Sequence, residues 1–143
     1  MKIHQQLATI HARAFTTARP WKAEEFKALL LSPHCFLSVD SHESISAFAL
    51  GRVIADEAEL LTLATDPDMH RRGHARKCLG RFEDAAIDRG AVTAFLEVAE
   101  DNIAAITLYQ NAGYHIVARR TAYYNRKQGA AIDALVMRRN LVE

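Results

Sequence analysis

Glu59-Leu60-Leu61-Thr62-Leu63-Ala64-Thr65 runs into Asp66-Pro67-Asp68 and then into His70-Arg71-Arg72-Gly73-His74-Ala75-Arg76-Lys77, and the reading of this stretch decides the fold. The first seven residues are an apolar strand, preceded by another from Ile45 to Ile54 across a turn at Asp56-Glu57. Asp-Pro-Asp is turn chemistry, because proline fixes φ and aspartate bonds the backbone just ahead of it. After the turn the apolar period changes. Ala75, Cys78, Leu79, Phe82 and Ala86 recur at intervals of three and four, which is one buried helix face, and Gly90 supplies its stop. Thr93 to Val98 is a compact apolar strand, and Asp101 or Asn102 can cap a helix carrying Ile103, Ile106 and Leu108 that Gly113 ends. Strand, helix, strand, helix in this order implies a crossover unit inside a mixed sheet, so the fold class is α/β.

Working outward, Gln5 to Phe15 has helical spacing, with Leu7, Ile10, His11 and Ala14 on one side. Ala18-Arg19-Pro20-Trp21 breaks that helix, a second short helix is expected from Ala23 to Leu31, and Cys35 to Val39 is a strand. Two closing strands fit Tyr114 to Tyr124 and Ile132 to Arg138. No repeat or low-complexity linker divides the chain, so residues 1–143 are expected to form one domain.

Lys plus Arg is 18 and Asp plus Glu 17, a balance that provides no global field toward nucleic acid or a membrane; neither is an expected partner. Any basic function must be local. Cys35 and Cys78 form no CxxC pair, and Met1-Lys2-Ile3-His4 does not begin an export signal, so reduced thiols and a cytoplasmic location are expected. The apolar run Ala28 to Leu31 is far too short to span a bilayer.

The basic turn carries the strongest chemical signal. A helix N-terminus presents free N–H donors and partial positive charge, and so favours acids. Here Arg71, Arg72, Arg76 and Lys77 crowd it together with His70 and His74. A phosphate bound by the backbone N–H groups would turn that repulsion into binding energy, and Gly73 with the small Ala75 would let it approach. A solvated basic helix end is the bland alternative. His70, His74 and Cys78 are four apart, as metal ligands can be, but the surrounding cations repel a dication, so no metal is expected. The phosphate-loop pattern Gly-x-x-x-x-Gly-Lys-[Ser/Thr] is absent.

From Asp56 onward the chain resembles the GNAT acetyltransferases, and within them the RimI branch of N-terminal-alanine acetyltransferases that act on a small-subunit ribosomal protein. Asp56-Glu57-Ala58-Glu59-Leu60, Leu63 to Asp68, Arg72-Gly73-His74-Ala75-Arg76, Leu96-Glu97-Val98, Asn102-Ile103-Ala104-Ala105, Leu108-Tyr109, Ala112-Gly113-Tyr114 and Tyr123-Tyr124 carry the resemblance. Ala18-Arg19-Pro20-Trp21 resembles the aromatic loop between that family's first two helices. The resemblance implies a mixed sheet splayed at an acetyl-CoA site, with flanking helices. It assigns the pantetheine arm to the backbone of Leu63, Ala64 and Thr65, and the pyrophosphate to Arg71, Arg72, Gly73, His74, Ala75 and Arg76. It assigns a pantetheine amide to Asn102, the general base to Glu97 and the general acid to Tyr109, with Trp21, Tyr123 and Tyr124 along the acceptor groove. His70 stands where Gln or Arg is usual, Ala75 replaces the second glycine, and Asn125 follows the tyrosine pair in place of proline. The first strand of the family fold is expected to be short or missing.

Each residue has a second reading. Within Thr93 to Val98, Glu97 shares a face with Thr93 and Phe95, where burial would raise its pKa; a solvated sheet face is the alternative. Tyr109 can pack beside Ala105 and Ala112, Asn102 can be an N-cap alone, and Trp21 can be core. Cys78 lies on the apolar helix face, against a nucleophile role. The expected acceptor is a protein N-terminus, because deprotonating lysine costs about 3 kcal/mol more than an α-amine at neutral pH. The alternatives are a small amine, such as a polyamine or an antibiotic, and a CoA-sensing module without turnover.

Overall fold

The structure, a computed structural model, describes residues 2–15, 20–42, 44–69, 73–124 and 131–142. The elements, in chain order, are α1 (Ile3–Ala14), α2 (Ala23–Leu30), β1 (Cys35–His42), β2 (Ser44–Ile54), β3 (Glu57–Thr65), α3 (His74–Asp88), β4 (Thr93–Ala99), α4 (Ile103–Asn111), β5 (His115–Tyr124) and β6 (Ile132–Asn140). A single 3-10 turn, Pro67–Met69, follows β3. The six strands form one sheet in the order β1-β2-β3-β4-β6-β5, antiparallel throughout except for the parallel pair β3–β4. That pair is the crossover expected from the sequence, with α3 as its connection. Among the described residues no strand precedes α1.

Helices cover both faces of the sheet. Cys78, Leu79, Phe82 and Ala86 of α3, with Ile106 and Tyr109 of α4, pack against Ala47, Ala49, Ala58, Leu60, Ala94, Leu96 and Met137. Leu7 and Ile10 of α1 and Phe26 of α2 pack against Phe48, Leu50 and Ala64 on the opposite face. Phe26, Phe48 and Phe82 are fully buried, each worth about 1.5–3 kcal/mol relative to exposure. β2 is covered on both sides, which explains its unbroken apolar run in place of an alternation. Gly51 of β2 is a packing requirement: a Cβ there would meet Phe82 Cε1 at 2.5 Å and Phe36 Cζ at 2.8 Å. Those two rings stack at 5.7 Å, so the missing side chain lets α3 settle onto the sheet.

The feature that creates a site is a fork between β3 and β4. They pair only from Glu57↔Thr93 to Leu60↔Leu96. Beyond that point β3 stays with β2 as far as Thr65↔Ala47, while β4 stays with β6 as far as Ala99↔Ala134. The β2–β3 register shifts between Leu50 and Gly51, where Thr62 and Leu60 are the respective partners, leaving Leu61 as the extra residue of a bulge. A bulge bends the strand that carries it and raises its local twist, which carries β3 away from β4.

Candidate active site

Both helices that follow the parallel strands begin at the open end of the fork. α3 starts at His74 beyond β3, and α4 starts at Ile103 directly beyond β4. Ligands of sheets with parallel strands bind at the carboxyl ends of those strands, where helix N-termini converge. Leu63, Ala64 and Thr65 form the β3 edge of the opening, and no β4 partner meets them among the described residues. Gly73 is the N-cap of α3 in the left-handed conformation, φ 77°, and its Cβ position faces open space. The glycine is therefore required by backbone geometry rather than by crowding. Arg71 and Arg72 lie outside the described residues, as do His70, Ala18 and Arg19.

The other residues of the basic turn are not where electrostatics alone would leave them. The His74 imidazole turns away to Asp40 of β1 through Nδ1, with Ser46 Oγ 3.4 Å from the same nitrogen. Hydrogen bonding from His74 holds the Asp40 carboxyl below its usual range against the effect of burial, with Arg81 and Lys77 adding to the lowering. His74, Lys77 and Arg81 thus share an internal anion. The Arg76 guanidinium runs along α3 to lie 3.9 Å from Glu83. So the anion that the sequence argument required is supplied in part by the protein itself. What remains for a ligand in the described part of the turn is the backbone N–H groups of the first turn of α3, Ala75 included. Asp40 and Glu83 were not anticipated: Asp40 reaches the turn from β1, which no spacing encodes, whereas Glu83 lies on α3 itself, two turns after Arg76. Serine, histidine and aspartate here do not form a relay, since both oxygens approach the same ring nitrogen.

The opposite lip carries Glu97. Its side chain is 15 % exposed on the α1–α2 face, and Arg120 Nε of β5 lies 3.1 Å from Oε1. Burial raises the Glu97 carboxyl above its ordinary range; Arg120 opposes this and the charge of Glu59 reinforces it. Glu59 sits on β3 just inside the closed end, opposite Phe95, paired with Arg52 of β2 at 2.5 Å. The sheet face next to the opening therefore displays two ion pairs, Arg120–Glu97 on the β4 arm and Arg52–Glu59 where the strands are still joined. Arg120, Arg52 and Glu59 were also missed, because their alignment depends on strand order and register.

Tyr109 is buried on the α3–α4 face, edge-on to Tyr114 at 5.9 Å. The Tyr114 hydroxyl donates to Glu83 at 3.0 Å, and burial raises its pKa strongly. Asn102 caps α4, with Oδ1 accepting from the Ala105 N–H at 3.2 Å, so its amide nitrogen is the group left to face a ligand. Trp21 is partly buried, stacked on His11 and tilted against Phe26; its backbone N–H donates to His11 Nδ1 at 3.1 Å. Arg13 of α1 bonds Asp66 and Asp68 at 3.1 and 3.0 Å, which ties this corner to the turn after β3 and thus to the open end. Tyr123 and Tyr124 end β5, and their side chains lie outside the described residues. Cys78 is fully buried and its thiol is pushed up to about 11, as expected of an inert core cysteine. No helix among the described residues is long and apolar enough to cross a membrane.

Comparison with known proteins is consistent with this geometry. The Acetyltransferase (GNAT) family model matches residues 3–114. The chain is 38 % identical, over 84 % of its length and 80 % of the relative's, to a [ribosomal protein bS18]-alanine N-acetyltransferase of Salmonella typhimurium. It is 37 % identical to the N-alpha-acetyltransferase RimI of Mycobacterium tuberculosis, over 95 % of this chain and 85 % of that one. The crystal structure of the ribosomal-protein-S18-alanine N-acetyltransferase from Escherichia coli superimposes with a TM-score of 0.88 at 30 % identity, covering 100 % of this chain and 92 % of that one. With the family model over residues 3–114 and relatives matched over most of their length, the chain belongs to the GNAT acetyltransferase family as an acetyl-CoA-dependent N-acetyltransferase.

Proposed function

We propose that the protein acetylates the α-amino group of a protein N-terminus, with an alanine-initiated ribosomal protein as the acceptor class. The observation that carries this reading is a partly buried carboxylate, Glu97, on the lip of the fork, with a pKa above the ordinary range yet well suited to an amine of pKa near 8. The names of the relatives, which act on the alanine of bS18, support it.

The fork fits acetyl-CoA. Leu63, Ala64 and Thr65 would pair with the pantetheine arm as an added strand, in the place where β4 has departed. The first turn of α3, from Gly73 through Ala75 and Arg76, would bind the pyrophosphate through its N–H groups, with Arg71 and Arg72 before it. Asn102 would bond a pantetheine amide through its amide nitrogen. Acetyl-CoA supplies the activated acyl group as a thioester. Glu97 takes the proton from the acceptor's ammonium, directly or through water, which frees the lone pair to form the new C–N bond. A backbone N–H near Leu63 meets the charge that develops on the carbonyl oxygen. Tyr109 gives a proton to the thiolate as the C–S bond breaks. Trp21, Tyr123 and Tyr124 would line the acceptor's approach.

Thiol release from acetyl-CoA tests this with an Ala-initiated peptide, the same peptide blocked at its N-terminus, and a polyamine. Turnover of the free peptide alone is expected, with kcat lowered about 100-fold or more in Glu97→Gln while CoA binding is retained. Preference for the polyamine would make this a small-amine enzyme. CoA binding without turnover on any amine would make it a sensor.

A further inference from the structure

The two ion pairs beside the fork differ in what they can do. Arg52 and Glu59 sit on adjacent strands in register, Arg52↔Glu59, and close on each other directly. Glu97 and Arg120 are not neighbours. Glu97 is opposite Val136 of β6, Val136 is opposite Ala118, and Arg120 is opposite Ala134. The guanidinium therefore reaches diagonally across β6, over the small Ala134, to arrive at Oε1 of Glu97. Its sequence neighbour Arg119 goes elsewhere, to Glu100 and Asp133.

We propose that Arg120 is a positioning residue for the acceptor: its guanidinium holds the place beside Glu97 that the incoming ammonium takes, so that binding exchanges one cation for another. This deepens the reading of Glu97 as the base and rests on it. Three observations support it. The Arg120 side chain is 54 % exposed, so it can swing into water at small cost, whereas Glu97 at 15 % cannot follow. A half-exposed pair of this kind contributes little to stability, so folding alone does not account for it. An α-amine of pKa near 8 arrives mostly protonated at neutral pH, with the charge the exchange needs. Among the described residues Arg120 from β5 lowers the Glu97 carboxyl and Glu59 from β3 raises it, while its partner on β6, Val136, is neutral. When the ammonium displaces Arg120, the carboxylate keeps a cation beside it and its burial is never left uncompensated. The proton then passes from the ammonium to Glu97, and no other species is required.

The test is steady-state kinetics with acetyl-CoA and an Ala-initiated peptide from about pH 5 to about pH 9, on wild type, Arg120→Met, Arg120→Gln, Arg120→Lys and Glu97→Gln. Removing the guanidinium in the Met variant removes the competitor, so the peptide KM falls about threefold or more with the acetyl-CoA KM unchanged. Arg120 lowers the Glu97 pKa, so its removal raises that pKa. The acidic limb of kcat/KM, where activity is lost as Glu97 protonates, then moves to higher pH by up to about one unit. Arg120→Gln removes the charge but keeps a donor, shows the same shift, and serves if the Met variant does not fold. Arg120→Lys keeps the cation and holds the limb at its wild-type pH. A higher peptide KM in Met and Gln with the limb in place is the result of a structural strut and overturns the proposal. If Glu97→Gln keeps the wild-type kcat, the base reading itself fails; if it loses kcat while Met and Gln leave KM and limb unmoved, only the exchange is refuted.

Discussion

The β3–β4 pair is closed at one end and open at the other, and the two ends of the same strands behave differently. At the closed end, Ala58, Leu60, Ala94 and Leu96 are buried beneath α3 and α4, and Gly51 lets Phe82 and Phe36 stack on the sheet. At the open end the side chains are carboxylates, caps and tethers: Glu97, Asn102 and Asp66, with Arg13 and Arg120 pulled in from elements distant in sequence. One bulge at Leu61 separates the two. Stability and chemistry are thus segregated along a single strand pair, and substitutions at the two ends should fail in different ways.

The largest expected effect is at the open end. Tyr109→Phe should lower kcat about 100-fold, about 2.7 kcal/mol of transition-state stabilisation, while urea unfolding changes little. Its edge-to-face neighbour Tyr114 provides the contrast. An unchanged kcat in Tyr109→Phe would return that residue to the core and erase the chemical role of α4. Next, Gly51→Val at the closed end should cost about 2–3 kcal/mol by overpacking, read as a lower urea midpoint, with KM for acetyl-CoA unaffected in the folded fraction. Tyr114→Phe removes a donor from the buried Glu83 carboxylate, which keeps Arg139 at 2.8 Å, so about 1–2 kcal/mol of stability should go with no loss of kcat. Asn102→Ala removes a cap and a ligand contact together; about 1 kcal/mol of stability and a higher acetyl-CoA KM are expected, and a change in stability alone would leave it as a cap only.

The smallest effect concerns Asp40 and its dependence on pH. Its carboxyl is held below the usual range in the folded protein, so the stabilisation is present above the unfolded carboxylate pKa and fades as pH falls through the lowered folded value. Asp40→Asn should therefore be less stable than wild type near neutrality, and the difference should shrink on acidification in paired urea titrations. A difference that persists at low pH would mean that the pair with His74 acts through shape rather than charge.

The helices were legible because their apolar residues recur with the helical period: Cys78, Leu79, Phe82 and Ala86 form the buried stripe of α3 as expected, whereas Ala75 is only partly buried and the polar Glu83 joins the stripe; Gly90 and Gly113 do take positive φ after α3 and α4. The alternation of Thr93 to Val98 also held, with Ala94, Leu96 and Val98 buried under the helices and Glu97 on the other side. The expected turn at Asp56-Glu57 falls one residue earlier, with Ala55 at φ 56° and Glu57 already in β3. Ile103 is on α4 as expected, at its first position and 66 % exposed, while Ile106 and Tyr109 form the buried face. The basic turn starts a helix as expected, yet among the described residues His74 and Arg76 have counter-charges within the protein, Asp40 from β1 and Glu83 two turns further along α3.

β3 shows where the limit lies. Its burial alternates without a break from Glu57 to Thr65, so by pattern it is one regular strand. In space Ala58 and Leu60 face α3 and α4, while Ala64 faces α1 and α2, because the bulge at Leu61 reverses the parity. Local periodicity, caps and turn residues act over a few neighbours, and so the sequence by itself determined the elements, the crossover and the family. Which partner each strand keeps, where the sheet parts, and which arginine meets Glu97 are set by contacts between residues far apart in the chain, and only the packed structure decides those.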